Sequence, residues 1–289
     1  MNTLSLKLDE ETIARLAQAF RDDIKENPNP YVRCFIQNED VTITVYTSGK
    51  VVFQGKDANI YASAYLTRRY HDEAGSDEVG TGDYFGPVCV CACIVTAEMH
   101  TWLDSLQIND SKELRDEQIK ETAPKLMEKI PYSLLILKPK KYNEVAQTNN
   151  MNEIKAKMHN QAYVNLLHKG YTLPKATYVD QFAEENLYYR YLINEKEVIH
   201  GLIFETKAES SHPAVACASM IARYAFLREM EAMEAFYGIK LHKGGGEQAD
   251  LSALNFVRRF GMNRLNEVAK LHFKNTEKVK ELLEQSSSK

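Results

Sequence analysis

The chain has 289 residues, 44% of them apolar, enough to bury the core of one or two domains. A formal charge of −4 argues against coating nucleic acid by bulk attraction, so any phosphate binding has to come from local basic patches. No apolar run reaches the roughly 18 residues of a membrane span. The N-terminus lacks the basic-then-apolar order of a secretory signal. Five cysteines without disulfide-like spacing fit a reducing cytoplasm. A monomer is expected, with no obligate protein partner evident.

Residues 9–27 read as an amphipathic helix with Ile13, Leu16, Ala17, Phe20 and Ile24 on one face. Asp9 stands where a cap belongs, and Asn27-Pro28-Asn29-Pro30 is a stop signal. Strands follow at 31–37 and 41–46; the second alternates Val41, Ile43 and Val45 inward with Thr42, Thr44 and Tyr46 outward. Ser48-Gly49-Lys50 turns the chain into a strand at 51–55, and a helix over 57–69 follows with Ile60, Ala64 and Leu66 inward. This is a small helix–sheet–helix module. Its outward Thr, Tyr and Lys side chains would suit a nucleic-acid backbone, but an ordinary half-solvated antiparallel sheet accounts for them better. Residues 70–74 are short and polar and read as a linker, giving domains at 1–70 and 71–289.

The second domain opens on Ser76-Asp77-Glu78-Val79-Gly80-Thr81-Gly82-Asp83-Tyr84-Phe85-Gly86-Pro87. Three acids and three glycines in a dozen residues suit a hard divalent cation beside a backbone open to close approach. A hairpin turn with solvated acids has the same composition. An apolar strand at 88–95 follows, with Cys89, Cys91 and Cys93 on one face as small hydrophobes rather than metal ligands. A charged helix is expected over 111–129, capped by Asp110 or Ser111, with Lys112 at its start able to meet phosphate. Next come a strand at 132–137, a helix at 151–169, a strand at 177–182 ending in a carboxylate, and a strand at 198–205. Pro213 opens a helix to about 236, whose Ala214, Cys217, Ala218, Ile221 and Ala225 form a small-residue face for close approach to a sheet. Lys243-Gly244-Gly245-Gly246-Glu247 reads as a flexible loop without the ending of a nucleotide-binding P-loop. Helices at about 250–260 and 263–284 finish the chain. Alternating strands and helices predict an α/β second domain with a mixed sheet, α+β over the whole chain.

Asp77, Glu78 and Asp180 fall at strand ends or turns, and Glu209 lies just before a helix. Strand ends of an α/β sheet commonly converge on one crevice. Carboxylates gathered there repel one another unless cations intervene, and two Mg²⁺ or Mn²⁺ ions about 4 Å apart would both neutralise them and support phosphodiester hydrolysis. Successive strand residues point to opposite faces, so Asp77 and Glu78 share a site only if the chain leaves the pleat there, a bend that Gly80 and Gly82 make plausible. Taken singly, Asp180 fits a capping or salt-bridged acid, and Glu209 an acid at a helix N-terminus.

Residues 77–87 closely resemble the opening motif of the bacterial ribonuclease HIII family, whose type 2 relatives carry an Asp-Glu-Ala-Gly-Arg-Gly form. Asn109-Asp110-Ser111-Lys112 is similar to that family's Asp-Ser-Lys element, and Tyr178-Val179-Asp180-Gln181-Phe182 to its third-acid strand. Thr206-Lys207-Ala208-Glu209 and residues 214–223 are similar to its fourth-acid segment and the helix that follows. The resemblance implies an RNase H-like catalytic domain behind a TATA-binding-protein-like substrate-binding domain. It implies endonucleolytic cleavage of the RNA strand of RNA–DNA hybrids, giving 5′-phosphate and 3′-hydroxyl ends. Asp77, Glu78, Asp180 and Glu209 map onto the metal-binding acids, with Mg²⁺ or Mn²⁺ as cofactor. Gly80, Thr81, Gly82 and Lys112 map onto substrate contacts. Two alternatives stay open: a type 2-like enzyme nicking at single embedded ribonucleotides, and a catalytically silent hybrid-binding protein.

Overall fold

The computed structural model describes residues 2–63, 71–106, 108 and 114–287. The chain divides into two compact units, Met1–Arg69 and Tyr70–Lys289. Among the described residues no helix is long and apolar enough to cross a membrane.

The first unit contains β1 (Asn2–Lys7), α1 (Glu10–Ala19), β2 (Ile24–Lys25), β3 (Val32–Gln37), β4 (Thr42–Tyr46), β5 (Lys50–Gly55) and α2 (Ala58–Ser63). The strands form one antiparallel sheet in the order β1-β5-β4-β3-β2. Ile13 and Leu16 of α1 and Ala58 and Ala62 of α2 pack with Ile36, Ile43, Val45, Val51 and Phe53. The Thr12 N–H donates to Asp9 Oδ1 at 2.9 Å, which is the cap read from the sequence. The helix expected to reach 27 ends at Ala19, because Ile24 and Lys25 leave it to pair with Ile36 and Phe35. The opening strand β1 was not expected, although Leu4 and Leu6 alternate with Thr3, Ser5 and Lys7. Thr44, read as outward, is buried: β4 is the central strand, and neighbours on both sides cover it. Ala64 and Leu66 lie outside the described residues.

The second unit contains β6 (Glu73–Val79), β7 (Val88–Val95), α3 (His100–Ser105), α4 (Asp116–Lys129), β8 (Tyr132–Leu137), α5 (Pro139–Val145), α6 (Met151–His168), β9 (Ala176–Asp180), α7 (Glu185–Tyr191), β10 (Ile203–Glu205), α8 (Pro213–Tyr237), α9 (Glu247–Phe260) and α10 (Lys274–Ser287). Its mixed sheet runs β10-β9-β6-β7-β8, with β9 parallel to both β6 and β10 and the remaining pairs antiparallel. Helix α8 covers one face of β6 and β7, and α6 packs on the other face of the sheet. Gly75 makes the α8 contact possible: a Cβ there would lie 2.4 Å from the backbone nitrogen of Val215. The small-residue face of α8 meets Cys89, Cys91 and Cys93 in one core, where burial pushes the Cys89 thiol up to about 12. These thiols are packing groups.

Several boundaries differ from the sequence reading. The linker expected over 70–74 overlaps β6, whose Glu73 and Ala74 are buried. Helix α4 starts at Asp116, and the caps expected at Asp110 or Ser111 lie outside the described residues. Only Ile203–Glu205 of the expected 198–205 strand pairs with β9. The helix expected over 263–284 is broken into a 3₁₀ turn, Met262–Glu267, and α10.

The break exists because residues 268–270 dock on the Asp77–Pro87 motif. The Gly86 N–H donates to the Val268 carbonyl and the Lys270 N–H to the Tyr84 carbonyl, each at 2.9 Å. Nor does the triple-glycine loop hang free: the Gly244 N–H donates to Asp83 Oδ1 at 2.6 Å, and the Tyr84 N–H to the Gly244 carbonyl at 3.0 Å. Lys270 is fully buried, with Nζ donating to the Gly86 carbonyl at 2.6 Å. Burial pushes its ammonium down to about 7 from the ordinary 10.5, against the pull of Asp83. Between those two values the unfolded chain binds the proton that the folded chain lacks, so folding stability gains from rising pH. Chemical denaturation of the wild type and of Lys270→Met at pH 7 and 9 should show the wild type gaining relative to the variant, by at most about 1.4 kcal/mol per pH unit. Parallel stability–pH curves would exclude a depressed Lys270.

Candidate active site

Parallel pairing of β6 with β9 sets the site. The register places Ser76 opposite Val179, so the next residue of each strand brings Asp77 and Asp180 side by side at the strand ends. A cleft of about 390 Å³ opens there, lined by Asp77, Glu78 and Asp180 and by the Gly80-Thr81-Gly82 backbone. Ser219 and Arg223 of α8 complete its wall.

Asp77 is buried; its Oδ1 accepts the Glu78 N–H at 2.7 Å, and Ser219 donates to its carboxylate. Burial above all, then the charges of Glu78 and Asp180, push the Asp77 carboxyl up to about 8. Asp180 Oδ1 accepts the Ala208 N–H at 3.0 Å. That contact places the 3₁₀ turn Ala208–Ser210, and with it Glu209, directly behind Asp180. Lys207 reverses the chain into this turn in the left-handed region, φ 57°, a conformation that a residue with a Cβ rarely adopts. Glu209 is buried and does not line the cleft.

The pleat is kept through the motif, since Asp77 and Glu78 pair in sequence with Cys91 and Val90 of β7. The two acids therefore turn to opposite faces. Asp77 meets α8, whereas Glu78 meets α6, accepting from Lys155 Nζ at 2.8 Å on Oε1 and from His159 Nε2 at 2.9 Å on Oε2. Burial works to raise Glu78, but His159 and Lys155 outweigh it and hold the carboxyl below its ordinary range. A carboxylate can only accept, so His159 carries its proton on Nε2; in the neutral ring Nδ1 then accepts the Ser76 hydroxyl, 2.7 Å away.

Of the residues singled out from the sequence, Asp77, Glu78, Asp180, Gly80, Thr81 and Gly82 share the cleft, and Lys112 lies outside the described residues. Ser219, Arg223, Lys155 and His159 went unnoticed as site residues. The last two carried a signal: a lysine and a histidine four residues apart, and so on one side of a helix whose other buried residues are mostly apolar. Among the described residues, no three His, Cys, Asp or Glu side chains already enclose a metal position. The donor chemistry nevertheless fits a hard divalent cation. Four carboxylates, Asp77, Glu78, Asp83 and Asp180, line one cleft, and the negative charge that adds to burial in raising Asp77 is what such an ion neutralises.

Residues 74–276 match the family described as Ribonuclease HII, and residues 3–77 match a domain of unknown function. Ribonuclease HIII of Streptococcus gordonii is 40% identical over 98% of this chain and 100% of that protein. Ribonuclease HIII of Bacillus cereus is 42% identical over 84% of this chain and 86% of that protein. Among solved structures, Bst-RNase HIII in complex with Mn2+ superposes with a TM-score of 0.75 at 34% identity, covering 97% of this chain and 99% of that one. Mixed sheet, flanking helices and acidic cleft thus define an enzyme of the ribonuclease H class. Within that class the chain belongs to the ribonuclease HII family, in its ribonuclease HIII group.

Proposed function

We propose that the enzyme is an endonuclease that hydrolyses the RNA strand of RNA–DNA hybrids with two divalent ions, Mg²⁺ or Mn²⁺, leaving 5′-phosphate and 3′-hydroxyl ends. The observation that carries this reading is the cleft in which the carboxylates of Asp77, Glu78 and Asp180 face a strip of glycine-rich backbone, with Asp83 also in its lining. Asp77, Glu78 and Asp180, which line the cleft, and Glu209, which is buried outside its lining and would have to turn toward it, are the residues that would hold the ions; the Mn2+ complex of the Bst relative supports such a cofactor. When bound, the ions supply an activated water and stabilise the departing 3′-oxygen.

The chain's own groups do the rest. Ser219 orients Asp77, and the Ala208 N–H orients Asp180. The Gly80-Thr81-Gly82 backbone approaches the minor groove and reads the ribose 2′-OH, the group that separates RNA from DNA. Gly82 suits that role, because the space where its Cβ would stand is open for 4 Å. Lys112 contacts phosphate, and the first unit, Met1–Arg69, adds hybrid affinity through phosphate contacts. The enzyme works as a monomer in the cytoplasm; its five free thiols support the reducing compartment.

Gel analysis of end-labelled full hybrid, duplex DNA with one embedded ribonucleotide, double-stranded RNA and double-stranded DNA tests the reading, with Mg²⁺, Mn²⁺ or EDTA. Expected are many cuts in the RNA of the full hybrid, with 3′-ends a polymerase extends directly, and none in EDTA. Cutting confined to the single ribonucleotide, or binding without cutting, would replace the reading with one of the two alternatives.

A further inference from the structure

Glu78 is treated differently from the other acids of the cleft. Lys155 and His159, both from α6, occupy its two carboxylate oxygens, whereas Asp77 and Asp180 receive backbone N–H groups and, for Asp77, a serine hydroxyl. Lys155 is itself buried, and its Nζ lies 4.0 Å over the ring of Phe182, two residues beyond Asp180. His159 is fully buried, braced by Ser76 and with its ring centroid 5.2 Å from that of Phe182. This is a built cationic contact on a candidate metal ligand.

We infer that Lys155 is a positioning residue that shares Glu78 with the incoming divalent ion, fixing the carboxylate while holding the protein's affinity for the ion down. The inference rests on the metal role proposed for the cleft. Any ion bound to Oε1 would sit within about 5 Å of Nζ, since Nζ is 2.8 Å from that oxygen and a metal–oxygen bond adds about 2.1 Å. Like charges that close in a largely buried site repel strongly. His159 remains on Oε2, so Glu78 keeps most of its orientation when Lys155 is removed, and the lost repulsion dominates. The ammonium thus serves as the resident counter-cation of Glu78, and the incoming ion has to share the carboxylate with it.

The test is Mn²⁺ binding to the full-length protein without substrate, read by calorimetry and by the loss of the free-ion paramagnetic resonance signal. Four variants are compared: Lys155→Met, Lys155→Gln, Lys155→Arg and Asp77→Asn. Gln keeps a hydrogen-bond donor without charge, which separates charge from orientation and provides a second variant should Met fail to fold. Removing the charge should tighten Mn²⁺ binding about tenfold or more, with Arg within about twofold of wild type. The Mn²⁺ concentration for half-maximal hybrid cleavage should fall in parallel. Unchanged or weaker binding in Lys155→Gln, while Asp77→Asn still abolishes binding, would overturn the role of Lys155 and leave the metal reading standing. Absence of Asp77-dependent Mn²⁺ binding in the wild type would remove the metal reading and this inference with it.

Discussion

Asp77→Asn is expected to lower single-turnover cleavage of an RNA–DNA hybrid by about 10³-fold or more, some 4 kcal/mol of barrier, while leaving hybrid binding nearly intact. The substitution is isosteric. The amide oxygen still accepts the Glu78 N–H, and Ser219 can still reach the side chain, so the end of β6 keeps its place. What disappears is the charge at the point where Asp77 and Asp180 stand side by side and where a divalent ion would find its shared ligand. In metal-free buffer the same change should raise the melting temperature. The folded protein forces a desolvated carboxylate beside two others, and its carboxyl is pushed up to about 8 as a result. Neutralising it removes that repulsion. Loss of activity together with a higher melting temperature is the signature of a residue held in an unfavourable state for function. Near-normal turnover would remove Asp77 from the mechanism, and a fall in melting temperature would point to misfolding instead.

The strands and helices legible in the sequence are those built on apolar residues in a recognisable pattern. β4 declares itself by alternating apolar and hydroxyl side chains, β7 by an unbroken apolar run, and α6 and α8 by apolar residues at helical spacing. β6, the strand that carries two of the acids, does not. Its residues, Glu73-Ala74-Gly75-Ser76-Asp77-Glu78-Val79, look like a polar loop, yet the first five are buried. Each polar group there is satisfied from far along the chain: Glu73 Oε1 accepts the Ala214 N–H at 2.6 Å, Ser76 meets His159, and Glu78 meets Lys155. A buried polar strand is tolerable only with such partners, and no local pattern reveals partners 77 to 141 residues away. Asp180 was easier, because a clean alternating strand ends on it. The relation of Glu209 to the site came only from resemblance, since an acid before a helix is ordinary. The sequence reading let Asp77 and Glu78 share a site only through a bend at Gly80 and Gly82; instead the pleat is kept at both acids and they reach the cleft from opposite faces of β6, and the lysine and histidine on the second face were not foreseen.

The second large effect concerns the bend that follows the acids. Gly80 has φ +95°, and a Cβ there would lie 2.2 Å from the Pro87 carbonyl oxygen and 3.0 Å from the Phe226 ring. Gly80→Ala combines an unfavourable dihedral with a collision against backbone and a buried ring, for a loss of about 2–4 kcal/mol. The motif has to move to relieve it, taking Asp77 and Glu78 along, so kcat should fall together with the melting temperature. Gly82, two residues on, is the control. A Cβ there meets nothing within 4 Å, so Gly82→Ala should melt like the wild type. If the hybrid backbone approaches this strip, the added methyl group occupies the space it needs, and KM for the hybrid should rise by about tenfold with kcat little changed. Steady-state kinetics and thermal melts of the two variants separate a glycine needed for the fold from one needed for the substrate. A Gly82→Ala enzyme with wild-type KM would mean that the duplex does not approach the cleft across this backbone, and the reading of the 2′-OH would have to move to another edge of the site.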